Sequence, residues 1–180
     1  MIFNLNLNKL CMRNYLVLFL LVNSAVVFSQ CEKYKKIIKD EFETDTMLVF
    51  KDDKDKMFDS KCENCNSVID LYFSRKNEYF FINVDVIASS PFFVSENSQI
   101  TFLFTDKTIV KLAVPFLYKA ELKNGSHFCH ILLVANREII NSLNDKKIDK
   151  IRVESNKEHL IAKTNKVDKI KEYLNCATDF

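Results

Sequence analysis

The cysteines are the residues of this 180-residue chain whose spacing most directly suggests chemistry. Cys62 and Cys65 form a CxxC motif, which is typical of a structural disulfide, a redox pair or half of a zinc site. A thioredoxin-type redox pair needs its first cysteine at a helix N-terminus after a strand, and this motif follows a charged loop. A structural disulfide, within the motif or from one member to Cys129, is therefore the favoured interpretation.

The segment His127-Phe128-Cys129-His130 supplies the remaining candidate ligands and nucleophile. A zinc site would combine Cys62 and Cys65 with Cys129 and His127 or His130, but the second pair lies on a predicted strand rather than in a knuckle. Strand alternation puts Cys129 and His130 on opposite faces, which disfavours a catalytic cysteine with His130 as its base. We therefore predict no metal site, no cofactor and no catalytic residue, and enzymatic activity is not favoured.

Cys31 and Cys176 lie near the two ends of the predicted mature chain, and neither falls on an obvious apolar face. A disulfide between them would staple the chain ends, and the loop-entropy estimate for such a staple is about 4–5 kcal/mol. One thiol would then be left over. The disulfide candidates are Cys31, Cys176, Cys62, Cys65 and Cys129.

Composition excludes several function classes. Gly125 is the only glycine, whereas phosphate-binding loops, dinucleotide fingerprints and nucleophile elbows need several at fixed spacing. The net charge of +2 comes from Lys9 and Arg13, because the first 29 residues carry no acid; removing these two from the 26 bases leaves 24, equal to the 24 acids. A neutral chain with interspersed signs predicts no nucleic-acid partner.

The N-terminal segment predicts export. An apolar run over 15–27 follows Arg13 and is shorter than the roughly 20 residues of a transmembrane helix. Val27 and Ser29 fit a signal-peptidase site, so residues 1–29 are predicted to be a signal peptide and 30–180 a single globular domain with no transmembrane segment. Ordinary cleavage is favoured over lipid attachment at Cys31, because Gln30 stands where a lipid site needs a small residue. Met1 and Met12 both remain candidate starts.

The leader ending in Phe28-Ser29-Gln30 and a C-terminal pattern resemble small uncharacterised exported proteins of Bacteroidota-type bacteria. The pattern comprises residues 141–143, 147–153 and 169–176. The resemblance implies export to the periplasm or medium. It implies no activity and no functional residues.

Hydrophobic periodicity predicts an α+β fold. Residues 99–114 predict a hairpin in which Ile100, Phe102 and Phe104 share a buried face and Phe104 pairs with Ile109. Further strands are predicted over 42–50, 68–73, 79–88, 116–122, 127–134, 148–153 and 159–163, and helices over 31–39, 136–143 and a C-terminal segment capped by Thr164 or Asn165. The predicted architecture is an antiparallel sheet of about seven strands with a C-terminal helix packed on it, and a pleckstrin-homology-like barrel is one form it allows.

These observations favour a non-enzymatic interaction or structural module of the cell envelope, with an unidentified protein or envelope partner. The contact surface would be a sheet edge or exposed aromatics such as Phe92 and Phe93. The alternative is a thiol-based function, redox or zinc-dependent, at Cys62 and Cys65. The charged run over 51–56 is interpreted as a solvated loop.

Overall fold

In a computed structural model of the protein, the residues described are 31–39, 46–51, 58–60, 63–164 and 167–178. The chain divides into two compact units, Met1–Tyr34 and Lys35–Phe180. In the first unit, residues 31–34 are helical and Cys31 and Tyr34 are buried. Every element named below belongs to the second unit.

Thirteen strands and two helices make up the described part of the second unit. The strands are β1 Lys35–Lys39, β2 Thr46–Phe50, β3 Phe58–Asp59, β4 Ser67–Lys76, β5 Tyr79–Ala88, β6 Phe93–Val94, β7 Gln99–Phe104, β8 Ile109–Ala113, β9 Tyr118–Lys119, β10 Glu121–Lys123, β11 Ser126–Ala135, β12 Ile148–Glu154 and β13 His159–Thr164. The helices are α1 Arg137–Asp145 and α2 Val167–Thr178. The α+β fold with a mainly antiparallel sheet and a C-terminal helix is thus confirmed, with more strands than the seven predicted because several have only two or three residues.

Eleven of these strands form one antiparallel sheet. Nine of them follow one another in the order β10-β11-β5-β4-β3-β13-β12-β7-β8, and β1 and β2 lie off this path. The ten-residue strand β4 is the branch point: its residues 73–76 pair with β2, which pairs with β1, and its Ile69 pairs with Phe58 of β3. The remaining two strands, β6 and β9, form a separate two-stranded sheet. Strand β10 is therefore one end of the main sheet and β8 the other.

The core is formed by the alternate residues of the long strands that face α2. Helix α2 contacts β2, β4 and α1. Its buried residues include Ile170, Tyr173, Leu174 and Ala177, a wider face than the single apolar row predicted. The buried apolar residues of the three central strands follow period-2 alternation: Ile69, Leu71 and Phe73 on β4, Ile82, Val84 and Val86 on β5, and Cys129, Ile131 and Leu133 on β11.

Local turn chemistry explains the tightest connections. Asn124 (φ 51°) and Gly125 (φ 79°) form the two-residue turn between β10 and β11, as the Asn-Gly dipeptide predicts. In the β7–β8 hairpin, Leu103 rather than Phe104 pairs with Ile109. The predicted register was wrong by one residue, because the Phe104 N–H donates to the Thr108 carbonyl at 3.0 Å and closes a three-residue loop in which Lys107 adopts φ 69°.

Helix α1 begins as the sequence predicts. The Asn136 side chain accepts a hydrogen bond from the Ile139 N–H at 2.9 Å, which satisfies one of the free donors at the helix start. Leu143 is fully buried at the other end of the helix.

Two predictions about the ends of the chain are wrong. Residues 35–39 form strand β1 rather than a continued helix, because they pair with β2, and this leaves Ile37 and Ile38 more than half exposed. Cys31 and Cys176 were expected off the core, yet both are buried. The predicted strand start at 42–45 and the cap Asn165 lie outside the described residues. Among the described residues, no helix has the length and apolar character to cross a membrane.

Candidate functional site

A row of polar side chains crosses the outer face of the central strands. Asp70 on β4 is paired with Asp85 on β5, and Asp85 is paired with His130 on β11. Each lies one residue from buried apolar positions on its own strand, so the pleat places these side chains on the face opposite the core. Three neighbouring apolar strands thus each present one ionisable residue at the same level.

Asp85 is the centre of this cluster. One carboxylate oxygen, Oδ1, lies 2.7 Å from His130 Nδ1, and the other, Oδ2, lies 3.2 Å from Lys51 Nζ. The Asp85 side chain is only 10% exposed, against 25% for Lys51 and 43% for His130. A carboxylate so deeply covered needs such partners, because an unpaired buried charge is costly. Lys51 and His130 therefore hold Asp85 in one orientation.

Tyr72 covers the cluster from strand β4. Its hydroxyl lies 3.4 Å from His130 Nδ1, its ring stacks on the His130 ring at an interplanar angle of 21°, and Lys51 Nζ sits 4.3 Å from its ring centre. Burial, followed by the negative charges of Asp85 and Asp70, raises the pKa of the Tyr72 phenol above its usual value. Tyr72 therefore stays protonated and acts as a neutral, packed platform for the imidazole and the ammonium group.

The geometry leaves the second imidazole nitrogen available. Ionised Asp85 only accepts hydrogen bonds, so His130 Nδ1 donates to it. No described residue hydrogen-bonds to His130 Nε2. This is the arrangement of an oriented histidine, able to accept or donate a proton at Nε2 or to bind an anion when protonated.

A cleft of about 500 Å³ opens next to His130 at the β10 end of the sheet. We call it the basic cleft; its lining residues are Leu117, Tyr118, Lys119, Glu121, Lys123, Phe128 and His130. The Tyr118 hydroxyl donates to the Leu132 carbonyl at 3.1 Å and ties the β6–β9 sheet to β11, while burial raises the Tyr118 pKa.

The basic cleft combines positive charge with exposed apolar surface. Lys123 Nζ lies 3.6 Å from a Glu121 carboxylate oxygen and 4.4 Å from the Phe128 ring centre. Both side chains of that ion pair are more than half exposed, so the pair is weak and easily exchanged. Leu117, which lines the cleft, is 53% exposed.

Five cysteines are predicted to survive cleavage, and the structure shows for four of them whether the sulfur is free or disulfide-bonded. Cys31 and Cys176 form a disulfide, as predicted. Cys65 is also disulfide-bonded, and Cys62 lies outside the described residues. Cys129 is a free, buried thiol.

The state of Cys129 bears on the other candidates in its segment. Burial, followed by the charges of Asp85 and Glu121, raises the pKa of Cys129 to about 11, the opposite of what a nucleophile needs. Cys129 faces the core and His130 the outer surface, as strand alternation predicts. His127 is half-buried and His159 exposed. Among the described residues, no group of three or more His, Cys, Asp and Glu side chains is arranged to hold a metal ion.

The predicted aromatic patch divides between core and surface. Phe92 is buried, whereas Phe93 is 38% exposed on β6, where its backbone N–H and carbonyl are hydrogen-bonded to Asn156.

Lys51, assigned from sequence to a solvated loop, is instead half-buried against Asp85. The aspartates of that run, at 52, 53 and 55, lie outside the described residues.

Comparisons with protein families, curated proteins and solved structures find no match. The candidate site therefore rests on its own geometry, and the pleckstrin-homology-like form stays a prediction.

One feature of the sequence indicates this site. Asp70, Asp85 and His130 each stand between two apolar residues within a predicted strand. A charged residue at the centre of a buried strand indicates a paired polar group on the outer face. That feature does not predict which strands are neighbours in the sheet. It therefore does not predict which of these residues meet.

Proposed function

We propose that the protein is an exported, non-enzymatic interaction module that binds an acidic segment of a partner protein in the basic cleft. The observation that carries this proposal is the meeting of Lys119, Lys123 and His130 with the exposed side chain of Leu117 at the β10 end of the sheet. Apolar patches rimmed by charged residues are typical of protein–protein contact sites.

Charge selects an acidic partner. Two lysines and a histidine line the cleft against one acid, Glu121, which is already engaged by Lys123. A carboxylate from a partner can replace Glu121 on Lys123 at little cost, because the existing pair is solvent-exposed. His130 offers a carboxylate a further contact at Nε2, the nitrogen that Asp85 leaves available, when the imidazole is protonated.

Apolar contact supplies most of the affinity. Covering the side chain of Leu117 would contribute about 1.5–3 kcal/mol if its burial were complete. The flat ring of Phe128, packed under Lys123, gives a floor on which an apolar side chain of the partner can rest. An acidic side chain flanked by aliphatic residues therefore fits the cleft best.

Export is supported by the leader and by the cysteines. Disulfides such as Cys31–Cys176 persist in oxidising compartments. The alternative, a thiol function at Cys62 and Cys65, remains a separate prediction. It fails if the purified protein neither oxidises nor reduces a test dithiol.

The test uses a fluorescent peptide of alternating glutamate and leucine and a lysine–leucine counterpart, with the disulfide-intact full chain and anisotropy as readout. We expect saturable binding of the acidic peptide that weakens with salt, and no binding of the basic peptide.

The double variant Lys119→Glu/Lys123→Glu should lose binding of the acidic peptide. The matched control Lys107→Glu/Lys111→Glu makes the same charge change at exposed positions of the β7–β8 hairpin, at the opposite end of the sheet, and should keep it. Equal loss in both variants would show non-specific attraction and refute the proposal.

A further inference from the structure

A second concave site lies near the β8 end of the sheet, on strands β7, β8, β12 and β13. Its volume is about 190 Å³, and its lining residues include Thr101, Leu103, Ile109, Lys150, Arg152 and Ile161. We call it the β7–β12 cleft. It shares no residue with the basic cleft, so the two sites can be tested separately.

Two buried polar atoms in this cleft have no hydrogen-bond partner. They are Thr101 Oγ1 and Arg152 Nε, and the whole Thr101 residue is only 6% exposed. Most buried polar atoms in folded proteins are paired, and each exception calls for an explanation. Thr101 and Arg152 face each other across β7 and β12 as directly paired residues, so both unpaired atoms lie on one short stretch of sheet.

The backbone brings a third polar group to the same place. The pairing of β12 with β7 is interrupted between Ile148 and Lys150, where one residue is added to β12. Because of this irregularity, Ile148 and Ile151 both face the core although they are three positions apart, and Lys150 joins Arg152 on the outer face. Irregularities of this kind often re-aim side chains beside functional sites.

The rest of the cleft is apolar. Leu103, Ile109 and Ile161 line it, and Ile109 is 55% exposed at its mouth. A volume of 190 Å³ corresponds to about six groups the size of a water molecule, at roughly 30 Å³ each. The occupant is therefore smaller than a typical drug-sized ligand.

We propose that the β7–β12 cleft binds a small aliphatic carboxylic acid of about four carbons. Its carboxylate accepts hydrogen bonds from Thr101 Oγ1 and Arg152 Nε and is neutralised by Arg152 and Lys150. Its alkyl chain lies against Leu103, Ile109 and Ile161. Arginine suits this role because its planar guanidinium presents several donors to a carboxylate at once.

The test is a titration of the disulfide-intact full chain with sodium butanoate, followed by NMR on isotopically labelled protein. We expect saturable shifts at the amides of Thr101 and Arg152 and at the Arg152 Nε–H group. The neutral analogue 1-butanol should not produce them, since it lacks the carboxylate. Acetate should bind about fifteenfold more weakly, because it lacks two buried CH₂ groups. Sodium chloride at equal ionic strength controls for salt.

Substitutions separate a binding role from a structural one. Thr101→Val removes the unpaired hydroxyl while keeping the shape, so the melting temperature without ligand should stay level or rise. The same variant should bind butanoate about tenfold more weakly or worse. Arg152→Met should abolish binding, whereas Arg137→Met, at an exposed position of α1, should leave it unchanged.

Three results would overturn the proposal. The first is the absence of saturable shifts at these residues in folded protein. The second is a Thr101→Val protein that melts at a lower temperature and binds butanoate as before, since the hydroxyl would then be a satisfied structural group. The third is equal weakening by Arg137→Met.

Discussion

The buried thiol of Cys129 gives the sharpest quantitative prediction. Its pKa is raised from 9.0 to about 11, mainly by burial, and the whole residue is 2% exposed. A shift of two units lowers the thiolate fraction at pH 8 by about 100-fold. Since the thiolate is the reactive form, native Cys129 should react with iodoacetamide at least about 100-fold more slowly than in the unfolded chain.

The same shift makes stability depend on alkaline pH. The pKa of Cys129 is higher in the folded than in the unfolded state, so its contribution is fully present below pH ~9 and is lost as pH rises through ~11. By pH ~10.5 the free energy of unfolding should have fallen by about 2 kcal/mol as a result of this two-unit pKa difference. The variant Cys129→Ala should show a shallower decline, because the other titrating groups are unchanged.

Urea unfolding of both proteins at several pH values, monitored by circular dichroism, measures the stability difference, and peptide mass spectrometry locates the alkylated thiol. Parallel pH curves for the two proteins, or rapid native alkylation at Cys129, would refute the burial argument. The second result would also reopen the nucleophilic interpretation of this residue.

Three further substitutions test the fold by urea unfolding. Asn136→Ala should cost about 1 kcal/mol by removing the cap of α1, whereas Asn141→Ala, at an exposed position within the helix, should change stability by less than about 0.5 kcal/mol. Gly125→Ala should cost about 1 kcal/mol from backbone strain alone, because φ is +79° and no atom lies within 4 Å of an added Cβ. Replacing Cys31 and Cys176 by Ser should cost about 5 kcal/mol on the loop-entropy estimate; no loss would mean that the ends are held by other contacts.

The parts of the fold that follow from local patterns could be predicted from the sequence. The Asn-Gly turn, the Asn136 cap and the buried alternation of Ile100, Phe102 and Phe104 each depend on a few neighbouring residues, and all are present. Strand β1 was assigned to a helix because its strand state depends on pairing with β2, which its own residues do not encode.

The candidate site depends on contacts that are distant in sequence. Alternation alone places His130 on the outer face, but its 2.7 Å contact with Asp85 requires β11 to lie beside β5, across 45 residues of chain. Lys51 enters from the end of β2, beyond the residues that the sequence assigned to a sheet. Such contacts are fixed by strand order, which no local pattern specifies.

The most direct test of the proposed function is to map the glutamate–leucine peptide onto the labelled full chain by amide chemical shifts. We predict that the largest shifts fall at Leu117, Lys119, Lys123, Phe128 and His130, which line the basic cleft. Shifts that fall elsewhere, or that spread evenly over exposed lysines, would contradict the assignment of this cleft as the binding site.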